Sequence, residues 1–460
     1  MEGKELASLV LRGCTPLLET ASTLDQIPST LARKNATRFW IAVLLTGLGA
    51  GVGAVALTLI LAKAQHFAWP GPGALEEAAT GAGAWRHVIV LLAAGLLAGA
   101  GQLILVRLPS GNGIDITQAI WFSAGRLPAM RTLGSATLSV VLVGMGASLG
   151  REGAPKQAGA VVANVLADRV RLSDEQRRLL VACGAGAGMA AAYGVPLGGA
   201  LFALEVLRGV LALRLVIPAL LASLIATVVS WAALPDAPTY VLPAYATSIS
   251  IMVWAIFAGP VIGFVSVAYV RMVAWADRNK PKGWRRLLAP TLGLGALGLA
   301  SIAFPQLLGN GKDIAQQAFG GETEPALLIA LLLLKPTAIL ICLGCGVPGG
   351  LFTPTLAVGA LLGAVLGSAW AWLWPGAPPG LFAIVGAAAM LAATTQGPIS
   401  AVVLMIELTG HDRSFIAPLV LAVAIATLVA RTIEPRSIYD ARLTDDEVIA
   451  RQKSRETSPR

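Results

Sequence analysis

The sequence predicts an all-α protein that crosses a membrane many times and is assembled from two related helical halves. Three observations lead there. Of the 460 residues 56% are hydrophobic and only 13% are charged, with a mean hydropathy of +0.74, whereas soluble domains carry about 25% charged residues. Uncharged runs recur along the chain at roughly bilayer length. Finally, parts of the first half recur in the second at a nearly constant offset.

The uncharged runs fall at 39–62, 88–106, 132–150, 179–204, 215–235, 237–270, 287–311 and 415–430, each near or above the ~20 residues that span a bilayer as a helix. From Pro336 to Ile406 there is no formal charge, yet Gly346-Val-Pro-Gly-Gly350, Pro354, Pro375, Pro378 and Pro398 interrupt the stretch. It therefore reads as several short or re-entrant helices. Alternation of apolar and polar residues over ten-residue segments is missing, which excludes a membrane β-barrel.

Residues 1–37 mix acids and bases with no cationic start leading into an apolar core, so no cleavable signal is expected. They are assigned as a cytoplasmic segment, 38–440 as the membrane domain with halves at about 38–233 and 246–433, and 441–460 as a short cytoplasmic tail. The net charge of +9 comes from bases scattered at loop edges. Positive-inside bias explains these better than nucleic-acid binding. The densest basic stretch, Arg271 to Arg286, is expected on the cytoplasmic side.

Metal, redox and hydrolytic chemistry find little support. Four cysteines and three histidines are present, and Cys342-Leu-Gly-Cys345 has no second pair with which to hold zinc. Neither a Walker loop, a Gly-x-Ser-x-Gly elbow nor a His-Glu-x-x-His helix occurs. No enzymatic activity, cofactor or metal is expected.

The duplication is visible by eye. Residues 159–167, GAVVANVLA, match 359–367, GALLGAVLG, and 184–207 lie over 386–409 with Pro196 on Pro398 and Glu205 on Glu407. Paired halves with corresponding broken helices are a transporter architecture, with the substrate held where the repeats meet. Whether the halves run parallel or inverted stays open at this point.

Three glycine-containing breaks precede apolar helices: Ser110-Gly-Asn112-Gly113-Ile114, Gly150-Arg151-Glu152-Gly153 and Gly349-Gly-Leu351-Phe352-Thr-Pro354. Each frees backbone N–H groups at a helix start, where orphan donors and the positive dipole end attract anions. Aimed at one point they would form an anion cage free of Lys or Arg, whose charge would hold the anion too tightly to let it go. Glu152 is an acid at membrane depth and marks an ion or proton pathway.

Together and in this order these motifs resemble the CLC family of chloride channels and chloride/proton antiporters, over about Arg38 to Leu443. Gly350-Leu-Phe-Thr-Pro354 and Gly150-Arg-Glu-Gly153 match its signatures, and Ser437-Ile-Tyr439 is similar to its pore-lining tyrosine segment. The resemblance implies a homodimer with one anion pathway per subunit, inverted halves, and residence in the plasma or inner membrane with both termini cytoplasmic. It implies Glu152 as the gate, and Asn112, Gly113, Ile114, Arg151, Gly153, Leu351, Phe352 and Tyr439 as the anion-binding set.

The chain departs from that pattern in places. Asn112 and Asp115 replace the serine and proline of the first signature, which leaves chloride, nitrate and fluoride as competing substrates. Lys156 follows the gate within a turn and is paired on paper with Asp115. Val206 stands where exchangers of the family carry an inner proton glutamate. The expected function is accordingly passive or loosely coupled chloride movement, the alternative being a proton-coupled antiporter in which Glu205 and Glu407 relay protons.

Overall fold

The computed structural model describes residues 36–108, 114–243, 245, 247–321, 323–410, 415–443, 446 and 448. Asn112 and Gly113, residues 1–35 and most of the expected tail lie outside these.

The first half runs α1 (Ala36–Ala68), α2 (Leu75–Thr80), α3 (Ala84–Arg107), α4 (Ile116–Phe122), α5 (Ala129–Gly144), α6 (Gly153–Arg169), α7 (Asp174–Tyr193), α8 (Pro196–Leu201, continued as a π-helix through Phe202–Arg208) and α9 (Leu213–Ser230). The second runs α10 (Ile249–Arg278), α11 (Arg285–Ala303), α12 (Lys312–Gly320), α13 (Pro325–Gly344), α14 (Phe352–Leu373), α15 (Pro379–Thr395), α16 (Pro398–Thr409) and α17 (Ile416–Ile433), followed by a 3₁₀ turn at Asp440–Arg442. Apart from α2, each element of the first half has a counterpart in the second. Seven of the described helices are long and apolar enough to cross a membrane.

The run 179–204 forms two helices. Gly194 adopts a left-handed φ of 68° and ends α7, and Pro196, with no N–H to lose, starts α8. The charge-free 336–406 stretch divides into α13 to α16 at Gly346–Gly350, at Pro375 and Pro378, and just before Pro398, whereas Pro354 lies inside the first turn of α14 and does not interrupt it. Of the basic stretch from Arg271 to Arg286, Arg271 and Arg278 lie inside α10 and Arg285 and Arg286 open α11.

The repeated small residues are the seams between helices. A Cβ on Gly159 of α6 would sit 1.9 Å from the Gly184 carbonyl oxygen of α7, and one on Gly359 of α14 would sit 2.9 Å from that of Gly386 on α15. Only glycine permits these approaches, which in a bilayer supply the dispersion contact that lipid-facing leucines cannot.

Two pairs of counterpart helices and the two central breaks also touch each other, head to tail. On α3 and α11, Gly95 faces Thr291 while Gly298 faces His87. Gly150 and Gly350 form an antiparallel bridge, and α8 packs on α16. Reciprocal antiparallel contacts between matching positions are what a local two-fold produces, so the halves are inverted.

Candidate functional site

The two central breaks meet on that two-fold. Gly150 N–H donates to the Gly350 carbonyl and Gly350 N–H to that of Gly150, both at 2.8 Å. A Cβ on either glycine would lie 2.2 Å from a Glu152 carboxylate oxygen, so glycine at both positions leaves room for that group.

Glu152 is the N-cap residue of α6, yet its side chain does not cap that helix. It crosses to the other repeat, where Phe352 N–H donates to Oε1 at 2.6 Å and the Thr353 hydroxyl lies 3.4 Å from Oε2. Phe352 opens the 22-residue α14, so its N–H is one of the orphan donors a helix start must satisfy. The carboxylate is entirely buried.

Aromatic rings line the interior from there. Tyr193 and Thr353 share a hydrogen bond of 2.9 Å, and the Arg151 guanidinium lies 5.0 Å from the Tyr193 ring centre. Phe352 contacts both Tyr193 and Phe202, with ring centres at 6.4 and 6.5 Å, and Phe202 meets Tyr439 edge-on at 5.9 Å. The Lys156 ammonium, buried with 6% of the residue exposed, stands 4.9 Å from the Phe202 ring and 5.1 Å from that of Tyr439.

Cavities approach this centre from different directions. One of about 240 Å³ is lined by Arg151, Tyr193 and Lys312. Another of about 390 Å³ is lined by Ile114, Gly153, Gln157, Arg131, Lys280 and Arg286. A third of about 420 Å³ borders Glu205, Val206, Gln396, Arg431 and Asp440.

The structure brings Glu152 and Phe352 into contact and puts Gly153 and Ile114 on one cavity, but Arg151 faces a different cavity. Tyr439 is buried against Phe202. Leu351 precedes α14 as its N-cap residue and does not donate to Glu152. A fixed positive charge stands close by, because the Lys156 ammonium lies against the rings of Phe202 and Tyr439. Nor does Lys156 pair with Asp115, whose carboxylate caps its own helix by accepting from Gln118 N–H at 2.9 Å.

Glu205 and Glu407 sit at reciprocal helix starts. Glu407 accepts from Leu197 and Gly198 N–H at 2.9 and 2.6 Å, and Glu205 accepts from Ile399 and Ser400 N–H at 3.2 and 2.6 Å. Sequence reasoning missed Tyr193, Phe202 and Thr353. Thr353 alone carried a signal, as part of the Gly350 to Pro354 motif. The cysteines 183, 342 and 345 are free, and no group of three or more potential metal ligands occurs among the described residues.

Inverted halves, broken helices and a buried acid at their meeting point define a multi-pass membrane protein with an ion pathway between its repeats. A family model described as voltage gated chloride channel matches residues 94–431. The ClcB voltage-gated ClC-type chloride channel of Citrobacter koseri is 31% identical over 377 residues, 80% of this chain and 89% of its own. The ClcB of an Escherichia coli O81 strain is 33% identical over 388 residues, with the same coverages. The chain thus belongs to the CLC family of voltage-gated chloride channels. Two solved structures share the fold at 22% identity: a slow cyanobacterial Cl⁻/H⁺ antiporter, with a TM-score of 0.76 over 92% of this chain and 99% of that one, and a CLC-type fluoride/proton antiporter, with 0.70 over 88% and 98%.

Proposed function

We propose that this protein moves a small inorganic anion, chloride first, across the membrane through a pathway closed by Glu152. One observation carries the reading: the carboxylate occupies the N–H of Phe352, a donor that suits a chloride equally well, and of the cavities nearby one is bordered by Arg151 and Lys312 and another by Arg131, Lys280 and Arg286 with Asp115 and Asp277. Carboxylate and anion want the same donor, so each displaces the other. Leu351, Gly153, Ile114 and Tyr439, with Asn112 and Gly113, complete the proposed anion route, and Arg151 draws anions to its mouth. No catalytic step is part of this role.

Movement is passive or loosely coupled in this reading, because Val206 cannot carry a proton. The names borne by the relatives, chloride channels of the ClcB type, agree with it. Proton-coupled exchange of chloride or fluoride, as the titles of the two solved neighbours describe for those proteins, is the second reading. It is favoured by the position of Glu205 beside Val206 on the 420 Å³ cavity, though the backbone bonds of Glu205 and Glu407 suit helix capping better than a relay. The proposed assembly is a homodimer joined through the apolar residues exposed on α8, α9, α16 and α17, among them Leu197, Ile217, Leu224, Ile399 and Leu428. The proposed location is the plasma or inner membrane, with the 279–284 loop and both termini cytoplasmic.

The test is current or flux through reconstituted vesicles under a pH gradient, with chloride, nitrate and fluoride in turn. A passive pathway holds its reversal potential at the anion's equilibrium value whatever the pH gradient. An exchanger shifts with pH, and absence of anion movement refutes both.

A further inference from the structure

We infer that Arg151 and Lys312 form a second anion site, apart from the Phe352 amide, that takes a divalent oxyanion of the sulfate class and, when filled, closes the mouth of the pathway. The site itself stands on the charges and the cavity, and only the blockade rests on the anion-transport reading.

The two cations come from different halves of the chain and line the 240 Å³ cavity together. Arg151 belongs to the break before α6, and its guanidinium stands over the Tyr193 ring at 5.0 Å. Lys312 is the first residue of α12, set by Gly311 with its left-handed φ of 86°. The same cavity is walled by residues between Trp231 and Thr239, which precede α10, whereas Lys280 of the 390 Å³ cavity follows it. α10 is long and apolar enough to cross a membrane, so the two cavities lie toward its opposite ends.

No carboxylate neutralises the pair. Among the described residues neither Arg151 nor Lys312 forms an ion pair. Glu152, next in sequence to Arg151, is turned to Phe352 and Thr353, and Asp313, next to Lys312, accepts from the Glu76 N–H at 3.4 Å. The charge of Arg151 bears on Lys312 more strongly than that of Asp313 does. The buried Nε of Arg151 has no acceptor among the described residues, and a buried donor left so points to a ligand or water that completes it. The ends of α7 and α9 reach the same wall, each with a partial charge of about −0.5. Together these offset about half of two full positive charges, so a positive field is left for a ligand.

The chemistry of the two groups selects that ligand. A guanidinium offers its N–H groups as a planar fork that matches the oxygens of an oxyanion, and an ammonium beside it adds a point charge. In the same field a divalent anion is attracted twice as strongly as chloride. Its greater desolvation cost is moderated here, because a cavity of about 240 Å³ has room for the ion with several waters, each of about 30 Å³ in the liquid. Beyond Arg151 the passage narrows, since one added carbon on Gly150 or Gly350 would lie 2.2 Å from a Glu152 oxygen. A tetrahedral oxyanion is thus held at the mouth and does not follow chloride inward.

The experiment pairs isothermal titration of sodium sulfate into the purified full-length protein with chloride efflux from vesicles holding sulfate on both sides. Sodium isethionate at equal ionic strength is the monovalent control. Wild type, Lys312→Gln, Lys312→Met and Lys312→Arg are compared, each flux taken relative to the same variant without sulfate, and thermal unfolding checks that each is folded. Two neutral variants guard against one that does not fold. Sulfate should bind the wild type and inhibit efflux where isethionate does not. Lys312→Gln and Lys312→Met should weaken binding, and raise the half-inhibiting sulfate concentration, by about tenfold, because a charge-assisted contact is lost. Lys312→Arg, which keeps the charge, should stay within about threefold of the wild type. A wild type that binds no sulfate, or neutral variants that bind it as tightly, overturns the site. Sulfate binding without inhibition of a working efflux overturns the blockade, and sulfate binding by a protein that moves no chloride overturns the transport reading while the site stands.

Discussion

Replacing Glu152 by Gln should leave a pathway that admits anions more readily and no longer responds to pH. The Glu152 carboxylate is held by one strong contact, the 2.6 Å bond from Phe352 N–H, worth about 1.5–3 kcal/mol for a charged acceptor. The N-terminus of the 22-residue α14 adds about 0.3–2 kcal/mol for a negative charge in a partly buried setting. Thr353 at 3.4 Å adds little at that distance. A chloride contending for the amide thus faces a lid held by about 2–5 kcal/mol. Glutamine keeps a neutral hydrogen bond of about 0.5–1.5 kcal/mol and loses the rest. The half-saturating chloride concentration for efflux from vesicles should fall by about tenfold or more, and its variation between acid and neutral pH should vanish. Gly350→Ala should act in the same direction, because its Cβ would lie 2.2 Å from Oε1 and expel the carboxylate. A Glu152→Gln protein with the half-saturation and pH profile of the wild type would refute the competition between lid and anion.

Two further predictions concern stability. Glu407→Gln leaves one oxygen to accept a neutral bond and sets its NH2 against the other of the two backbone N–H groups now bound at 2.9 and 2.6 Å, and should cost about 1–3 kcal/mol in unfolding, with Glu205→Gln similar. Lost proton movement at unaltered stability would instead favour the relay role. Glu434, just past α17 and buried, is held below the usual carboxylate range by hydrogen bonds from Arg436 and Arg271 that outweigh its desolvation. A depressed folded-state pKa contributes stability above the ordinary glutamate value of about 4.3 that is lost as pH falls through the folded value. Thermal stability should therefore fall on acidification below about pH 4.3, and Glu434→Gln should flatten that part of the profile while lowering stability at neutral pH.

The membrane class and the duplication were legible because they depend on quantities a sequence carries directly. Apolar length sets the spans, and the small residues that let α6 meet α7 also let α14 meet α15, so the same letters recur at 159 and 359 and at 184 and 386. Glycine at 150 and 350 marked the breaks. What could not be read was the partner across the two-fold. Nothing near Glu205 or Glu407 says that each caps the other repeat's helix, since the donors lie some 200 residues away. The destination of Lys156 was equally hidden: pairing with Asp115 was the nearest neutral arrangement on paper, but Asp115 is engaged at its own helix start and the lysine turns to Phe202 and Tyr439.

The repeat itself separates residues that build from residues that bind. Where the halves keep the same residue, the role is mechanical: Gly150 and Gly350 bridge, Gly159 and Gly359 close a helix pair, Pro196 and Pro398 start helices, and Glu205 and Glu407 cap them. At the bridge, two-fold symmetry would place like against like, and a second acid in place of Phe352 would set two carboxylates against each other. The sequence instead gives one half the acid and the other the amide that receives it. The same break in symmetry recurs one turn on, where Lys156 stands against Leu356. A carboxylate and the amide that receives it cannot be the same residue type, so the point where the two halves meet is one at which they could not remain alike.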